Sequence, residues 1–121
     1  IHDFLIKNGH TVLAEHVAHK DVLEIEASMS ELDIYTQDIE WLTECHAIVA
    51  EISIPSTGVG YEIAYSLHTL KKPVLALYEE HRKVSAMIVG NTSKNLKCQS
   101  YNGKEDLISK ITIFLGSINS K

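Results

Sequence analysis

The sequence predicts an α/β protein, a three-layer sandwich with helices on both faces of a parallel sheet. Short apolar runs rich in β-branched residues, around Thr11–Ala14, Ala47–Ile52 and Val74–Tyr78, alternate with longer segments whose apolar residues recur at helical spacing. The connections between them are short, and strands that alternate with helices pair in parallel through crossovers. At 121 residues the chain has room for one domain built on one core.

Taken in order, residues 1 to about 8 read as the end of a helix stopped by Asn8-Gly9. Thr11–Ala14 then reads as a short buried strand ending at Glu15-His16-Val17. Residues 18–30 are polar, with only a weak period, and are expected to form a mobile excursion or lid. Ser30-Glu31-Leu32-Asp33 has the form of a capping box for a helix running to about Cys45. Tyr35, Ile39 and Leu42 fall on its inner face, with Asp38 at the border of that face.

The stretch Ala47–Glu62 reads as strand, loop and helix start. Its apolar run breaks at Pro55-Ser56-Thr57-Gly58, and Val59, Ile63, Leu67 and Leu70 then share one helical face up to Lys71-Lys72-Pro73. In open parallel sheets, ligands sit beyond the carboxyl ends of the strands, which places Ser53–Glu62 at the working edge. Gly58 and Gly60 allow backbone to approach a ligand, and the first turn of the helix favours an anion. Glu62 stands out there, either as a reagent beside an anion site or as an ordinary acid of a first helical turn. Gly-Val-Gly matches neither the dinucleotide fingerprint nor the Walker pattern.

Val74–Tyr78 is the next strand, followed by a charged loop at residues 79–83. Ser85–Asn91 reads as a short helix with a Gly-Asn stop, and Lys97–Tyr101 as a partly polar edge strand. A closing amphipathic helix spans Lys104–Ile118, with Leu107, Ile111, Phe114, Leu115 and Ile118 inward.

Hydrophobic residues make up 45% of the chain and charged ones 22%, the balance of a soluble globular protein. The formal charge of −5 argues against a nucleic-acid polymer as ligand. Cys45 and Cys98 lack metal or redox spacing and are expected to be two buried thiols in a reducing compartment. The seven His show no zinc spacing, so no metal is expected. No apolar run approaches the ~20 residues of a membrane span, and no signal peptide is visible.

Two carboxylates, Asp38 and Glu62, flank a loop rich in hydroxyls and glycine. That combination suits cleavage at an acetal-like carbon, where a carboxylate stabilises or traps the oxocarbenium-like state and a second acid serves the leaving group or water. Ser56 and Thr57 add neutral donors suited to a phosphate at a helix start.

Gln37-Asp38-Ile39-Glu40-Trp41-Leu42, then Ala47–Ser53, then Pro55-Ser56-Thr57-Gly58-Val59-Gly60-Tyr61-Glu62, closely resemble the 2'-deoxynucleoside 5'-phosphate N-hydrolases, which belong with the nucleoside 2-deoxyribosyltransferases. Thr11–Val17 and Ser85-Ala86-Met87-Ile88 match the same family at the right distances. The resemblance implies one such domain over residues 1–121, with a Rossmann-like or flavodoxin-like parallel sheet. It implies hydrolysis of deoxynucleoside 5'-monophosphates to free base and 2-deoxyribose 5-phosphate, without a cofactor. Base exchange between nucleosides is the alternative within the family, and a non-catalytic nucleotide-binding module is the alternative outside it.

By the same resemblance Glu62 is the nucleophile, and Asp38 orients the sugar and assists proton transfer. Ser56 holds the 5'-phosphate, Gly58 and Gly60 shape its loop, and His16, Ile34 and Met87 line the nucleotide pocket. Ser85 reaches the phosphate from the neighbouring subunit, which makes a homodimer functional. Tyr61 and Trp41 are packing residues, and Glu15 and Glu51 are structural. The location implied is cytoplasmic, or nuclear as well in a eukaryote. The family begins with a strand ending in Tyr/Phe-x-Gly-Ser-Ile, and nothing here corresponds to it. The chain opens on Ile1-His2-Asp3-Phe4-Leu5-Ile6, so that first strand is expected to be missing from this sequence.

Overall fold

The computed structural model describes residues 12–14 and 29–119. The expected helix end at residues 1–8, most of the expected lid, and His16 lie outside the described residues. The elements are β1 (Val12–Ala14), α1 (Glu31–Glu44), β2 (Ala47–Glu51), α2 (Thr57–His68), β3 (Val74–Glu79), α3 (Ala86–Val89), β4 (Leu96–Tyr101) and α4 (Gly103–Asn119). The four strands form one sheet in the order β1-β2-β3-β4, and every neighbouring pair is parallel.

Alternation along β2 and β3 sorts their side chains onto two faces. Ala47 and Val49 of β2 join Leu75 and Leu77 of β3 against Ile111, Phe114 and Leu115 of α4. Ile48 and Ala50, with Val74 and Ala76, face the other way onto Leu42 of α1 and Ile63 and Leu67 of α2. The register matches this sorting, since Ile48 lies opposite Val74 and Val49 opposite Leu75. A sheet buried on both faces reads as continuous apolar runs, which is why Ala47–Ala50 and Val74–Leu77 carry no polar residue. The expected three-layer α/β sandwich is the fold found.

Two serines start the helices on the second of these faces. Ser30 Oγ accepts from Asp33 N at 3.1 Å at the head of α1, and Ser56 Oγ accepts from Val59 N at 3.3 Å at the head of α2. Two expectations need correction. Tyr35 does not pack on the sheet: it is 47% exposed, and its hydroxyl lies 3.3 Å from that of Tyr61. Tyr61 is 53% exposed, stacks on Tyr65 with centroids 6.1 Å apart, and meets Tyr35 edge-on. The N-terminal halves of α1 and α2 thus meet each other where a position read as sheet-facing was expected. Cys45 is buried as expected, but Cys98, on the partly polar strand β4, is only half-buried. Burial raises the Cys98 thiol pKa, and neither cysteine is in a disulfide.

No helix among the described residues is long and apolar enough to cross a membrane. No group of three or more His, Cys, Asp or Glu placed to hold a metal ion occurs among them.

Candidate functional site

β2 ends at Glu51, and the chain turns through Ile52–Pro55 at the carboxyl rim before entering α2. Ser56 is the N-cap, in extended backbone at φ −146° and ψ 121°. A helix start leaves its first N–H groups without intrahelical acceptors, and the helix dipole adds partial positive charge there. The first turn of α2 holds no acidic residue to offset it. Ser56 Oγ takes the Val59 N–H as acceptor, so its hydroxyl hydrogen can still be donated to an anion.

The rim opens into a cavity of about 590 Å³ running along one flank of α2 toward α3. Ser56, Gly60, Ser85 and Met87 all line it, so the structure brings together four of the residues singled out in the sequence. Ser85 caps α3 as Ser56 caps α2, accepting from Met87 N at 3.2 Å and keeping its hydroxyl hydrogen. Apolar walls come from Ile52, Ile63 and Ile88. At the far end, Asn91 Nδ2 lies 3.3 Å from His68 Nε2.

Glu62 and Asp38 do not line this cavity, and neither do Gly58 and Ile34. On α2 the inward stripe is Val59, Ile63, Ser66 and Leu67; at 100° per residue Gly60, Ala64 and His68 border it on the cavity side and Glu62 on the opposite side. Glu62 is half-buried at that border. Its carboxylate turns back toward the helix start, so that a Cβ built on Gly58 would lie 4.0 Å from Oε1. Helix α2 begins at Thr57, which puts Glu62 in the second turn and not the first. The reading of Glu62 as an ordinary first-turn acid therefore loses its basis, because the dipole falls off within that turn. Asp38 and Ile34 are half-buried on α1, the helix that meets α2 through Tyr35 and Tyr61.

No local pattern in the sequence announces the polar knot at the carboxyl rim. Glu51 Oε1 accepts from Ser53 N at 2.6 Å, Oε2 accepts from Ser53 Oγ at 2.8 Å, and Tyr101 Oη donates to the same Oε2. Ser53 Oγ accepts in turn from Glu79 N at 2.8 Å. Desolvation first, then the hydrogen bond to the Glu51 carboxylate, raises the Tyr101 pKa well above the ordinary phenol range. His68 and Asn91 were also missed. They are 23 residues apart, and nothing local links them.

With this geometry in hand, comparison with known proteins is decisive on kinship. A family model described as nucleoside 2-deoxyribosyltransferase matches residues 1–107. The chain belongs to that family. It is 43% identical over 118 residues to a protein of Thermofilum pendens named as a presumed 2'-deoxynucleoside 5'-phosphate N-hydrolase, an alignment covering 95% of this chain and 81% of that one. A protein of Methanosarcina mazei with the same name is 39% identical, over 98% of this chain and 73% of its own length. The rat 5-hydroxymethyl-dUMP N-hydrolase is 42% identical over 83 residues, covering 65% of this chain and 50% of the rat protein. Among solved structures, the CMP N-glycosidase of Clostridium botulinum superposes with a TM-score of 0.68 over 85% of this chain and 98% of that one. At 21% identity, that likeness speaks for the fold.

Proposed function

We propose that this family member is an N-glycosidase that hydrolyses 2'-deoxynucleoside 5'-monophosphates to free base and 2-deoxyribose 5-phosphate. The observation that carries the reading is the Ser56 hydroxyl beside the first N–H groups of a helix start free of first-turn acids, with the Glu62 carboxylate turned back toward that same start. A nucleoside without phosphate would leave these donors unpaired. The names of the archaeal and rat relatives, all N-hydrolases, agree with it.

In this mechanism the first turn of α2, with Ser56, holds the 5'-phosphate. Glu62 attacks C1', forming an ester as the C1'–N bond breaks and its electron pair leaves with the base. Asp38 orients the sugar and assists delivery of the proton the base needs. Water then cleaves the ester, releasing the sugar phosphate and freeing Glu62. Gly58 and Gly60, in the first turn of α2, leave its backbone open to the ligand, and His16, Ile34 and Met87 are assigned to the nucleotide pocket. We assign Ser85 to the phosphate of a second copy in a homodimer. The exposure of α3, where Met87 is 85% exposed, supports an element that reaches another molecule. The reaction as written needs no cofactor, and we assign the protein to the cytoplasm, or to the nucleus as well in a eukaryote.

One incubation tests the reading. Protein with dGMP and free adenine should release guanine and deoxyribose 5-phosphate. A new adenine deoxynucleoside or deoxynucleotide would mean base exchange, and binding without turnover would mean a nucleotide-binding module.

A further inference from the structure

The last residues of three neighbouring strands meet in the rim knot: Glu51 of β2, Glu79 of β3 through its N–H, and Tyr101 of β4. Ser53 sits at its centre, 5% exposed, with its hydroxyl both donating and accepting. Glu51 and Tyr101 are half-buried. Only Ile54 and Pro55 separate Ser53 from the N-cap Ser56, and the proline ring fixes one of the intervening dihedrals. Ile54, Pro55 and Ser56 are all exposed, so the inner end of this turn decides its placement. Just before it, Ile52 N donates to Leu77 O at 2.8 Å, which ties the same end to β3.

We propose that Glu51, Ser53 and Tyr101 are positioning residues for the phosphate site, setting where Ser56 and the first turn of α2 stand while touching no substrate themselves. The inference rests on the phosphate-binding role given to Ser56 above. Tyr101 is the distant member, 50 residues from Glu51 in sequence, so the edge strand of the sheet helps to fix the turn after its second strand. Its raised pKa keeps it a donor across the neutral range. Loss of the phenol hydroxyl leaves the carboxylate one donor short and lets Ser53 and the turn shift as a unit.

The test is Tyr101→Phe, with Ser53→Ala as a second variant on the other side of the knot, both checked for folding by circular dichroism and melting temperature. Binding of dGMP, deoxyguanosine and inorganic phosphate is measured by calorimetry and competition, with kcat and KM for dGMP alongside. Each variant should bind dGMP and phosphate about tenfold more weakly, the scale of one hydrogen bond to a charged acceptor. KM should rise by that factor with kcat within about twofold, the signature of lost uniform binding. Deoxyguanosine affinity should not move, and Ser53→Thr, which keeps the hydroxyl, should restore the wild-type values. A Tyr101→Phe protein that binds dGMP and phosphate like wild type, or that loses deoxyguanosine equally, overturns the proposal. Wild type that binds dGMP without cleaving it removes the hydrolase reading and leaves the positioning role standing on the binding data.

Discussion

Lys72 is the residue whose loss should most disturb the relation between the two helices that carry Asp38 and Glu62. Its ammonium donates to the carbonyl oxygens of Leu42 and Thr43 at 2.5 Å each and of Cys45 at 2.6 Å. These are end carbonyls of α1, which has no basic residue in its own last turn. Lys72 supplies that charge from beyond the end of α2, and its own N–H donates to Ser66 O at 2.9 Å. One half-buried side chain therefore fastens the end of α1 to the end of α2. Lys72→Met keeps most of the aliphatic stem and removes all three donations. Hydrogen bonds to a charged group contribute roughly 1.5–3 kcal/mol each, and three sharing one partly hydrated ammonium do not add, so about 2–4 kcal/mol is expected. With unfolding entropy of about 2.1 cal/mol/K per residue, a chain this long should melt some 8–16 °C lower. Thermal denaturation followed by circular dichroism measures this, with the exposed neighbour Lys71→Met as control. A drop under about 2 °C in the Lys72 variant would refute the clamp, since that is the shift of an ordinary surface substitution.

Glu62→Gln should lower dGMP turnover by about a thousandfold or more with the melting temperature unchanged; near-normal rates would remove Glu62 as nucleophile. Ser85→Ala should weaken dGMP selectively over deoxyguanosine in a binding assay, and equal losses would contradict its phosphate role. Lys71 is held at φ 57°, a left-handed conformation that costs a side-chain-bearing residue about 1–2 kcal/mol, part of which glycine recovers. Lys71→Gly should raise the melting temperature by a few degrees. Asp106 accepts from Asn102 N at 2.9 Å and pairs with Lys110 at 3.2 Å, contacts that hold its pKa below the usual 3.8. A folded value below the unfolded one stabilises above the unfolded pKa and is lost as pH falls through the folded one. The stability difference between wild type and Asp106→Asn should thus be constant near neutrality and shrink below pH 3.8 in denaturant titrations.

The layers were legible because burial on both sheet faces leaves long apolar runs, and because Ser30 and Ser56 announce their helices by chemistry a few residues long. The placement of Glu62 at a helix near a glycine turn was legible for the same reason, although the cap at Ser56 moves it one turn deeper than the sequence suggested. Tyr35 misled because helical period says which face a residue lies on, not how far the facing sheet extends beneath it. In its place stands Tyr61, on a helix whose position no local pattern encodes. The knot of Glu51, Ser53 and Tyr101 was hidden because its members become neighbours only when three strands align. His68 and Asn91 share that reason, since α2 and the segment after α3 converge through packing alone.

The uniform strand direction has a consequence for synthesis on the ribosome. No two neighbours in this sheet can close through a tight hairpin, and each must wait for an intervening crossover to be made. When β3 emerges, Val74–Leu77 present an apolar edge that stays unsatisfied until Leu96–Tyr101 follow, and one face stays bare until α4 arrives. Nascent chains stalled in that interval expose sticky backbone and side chains together, and that stage is where chaperone capture or aggregation should concentrate.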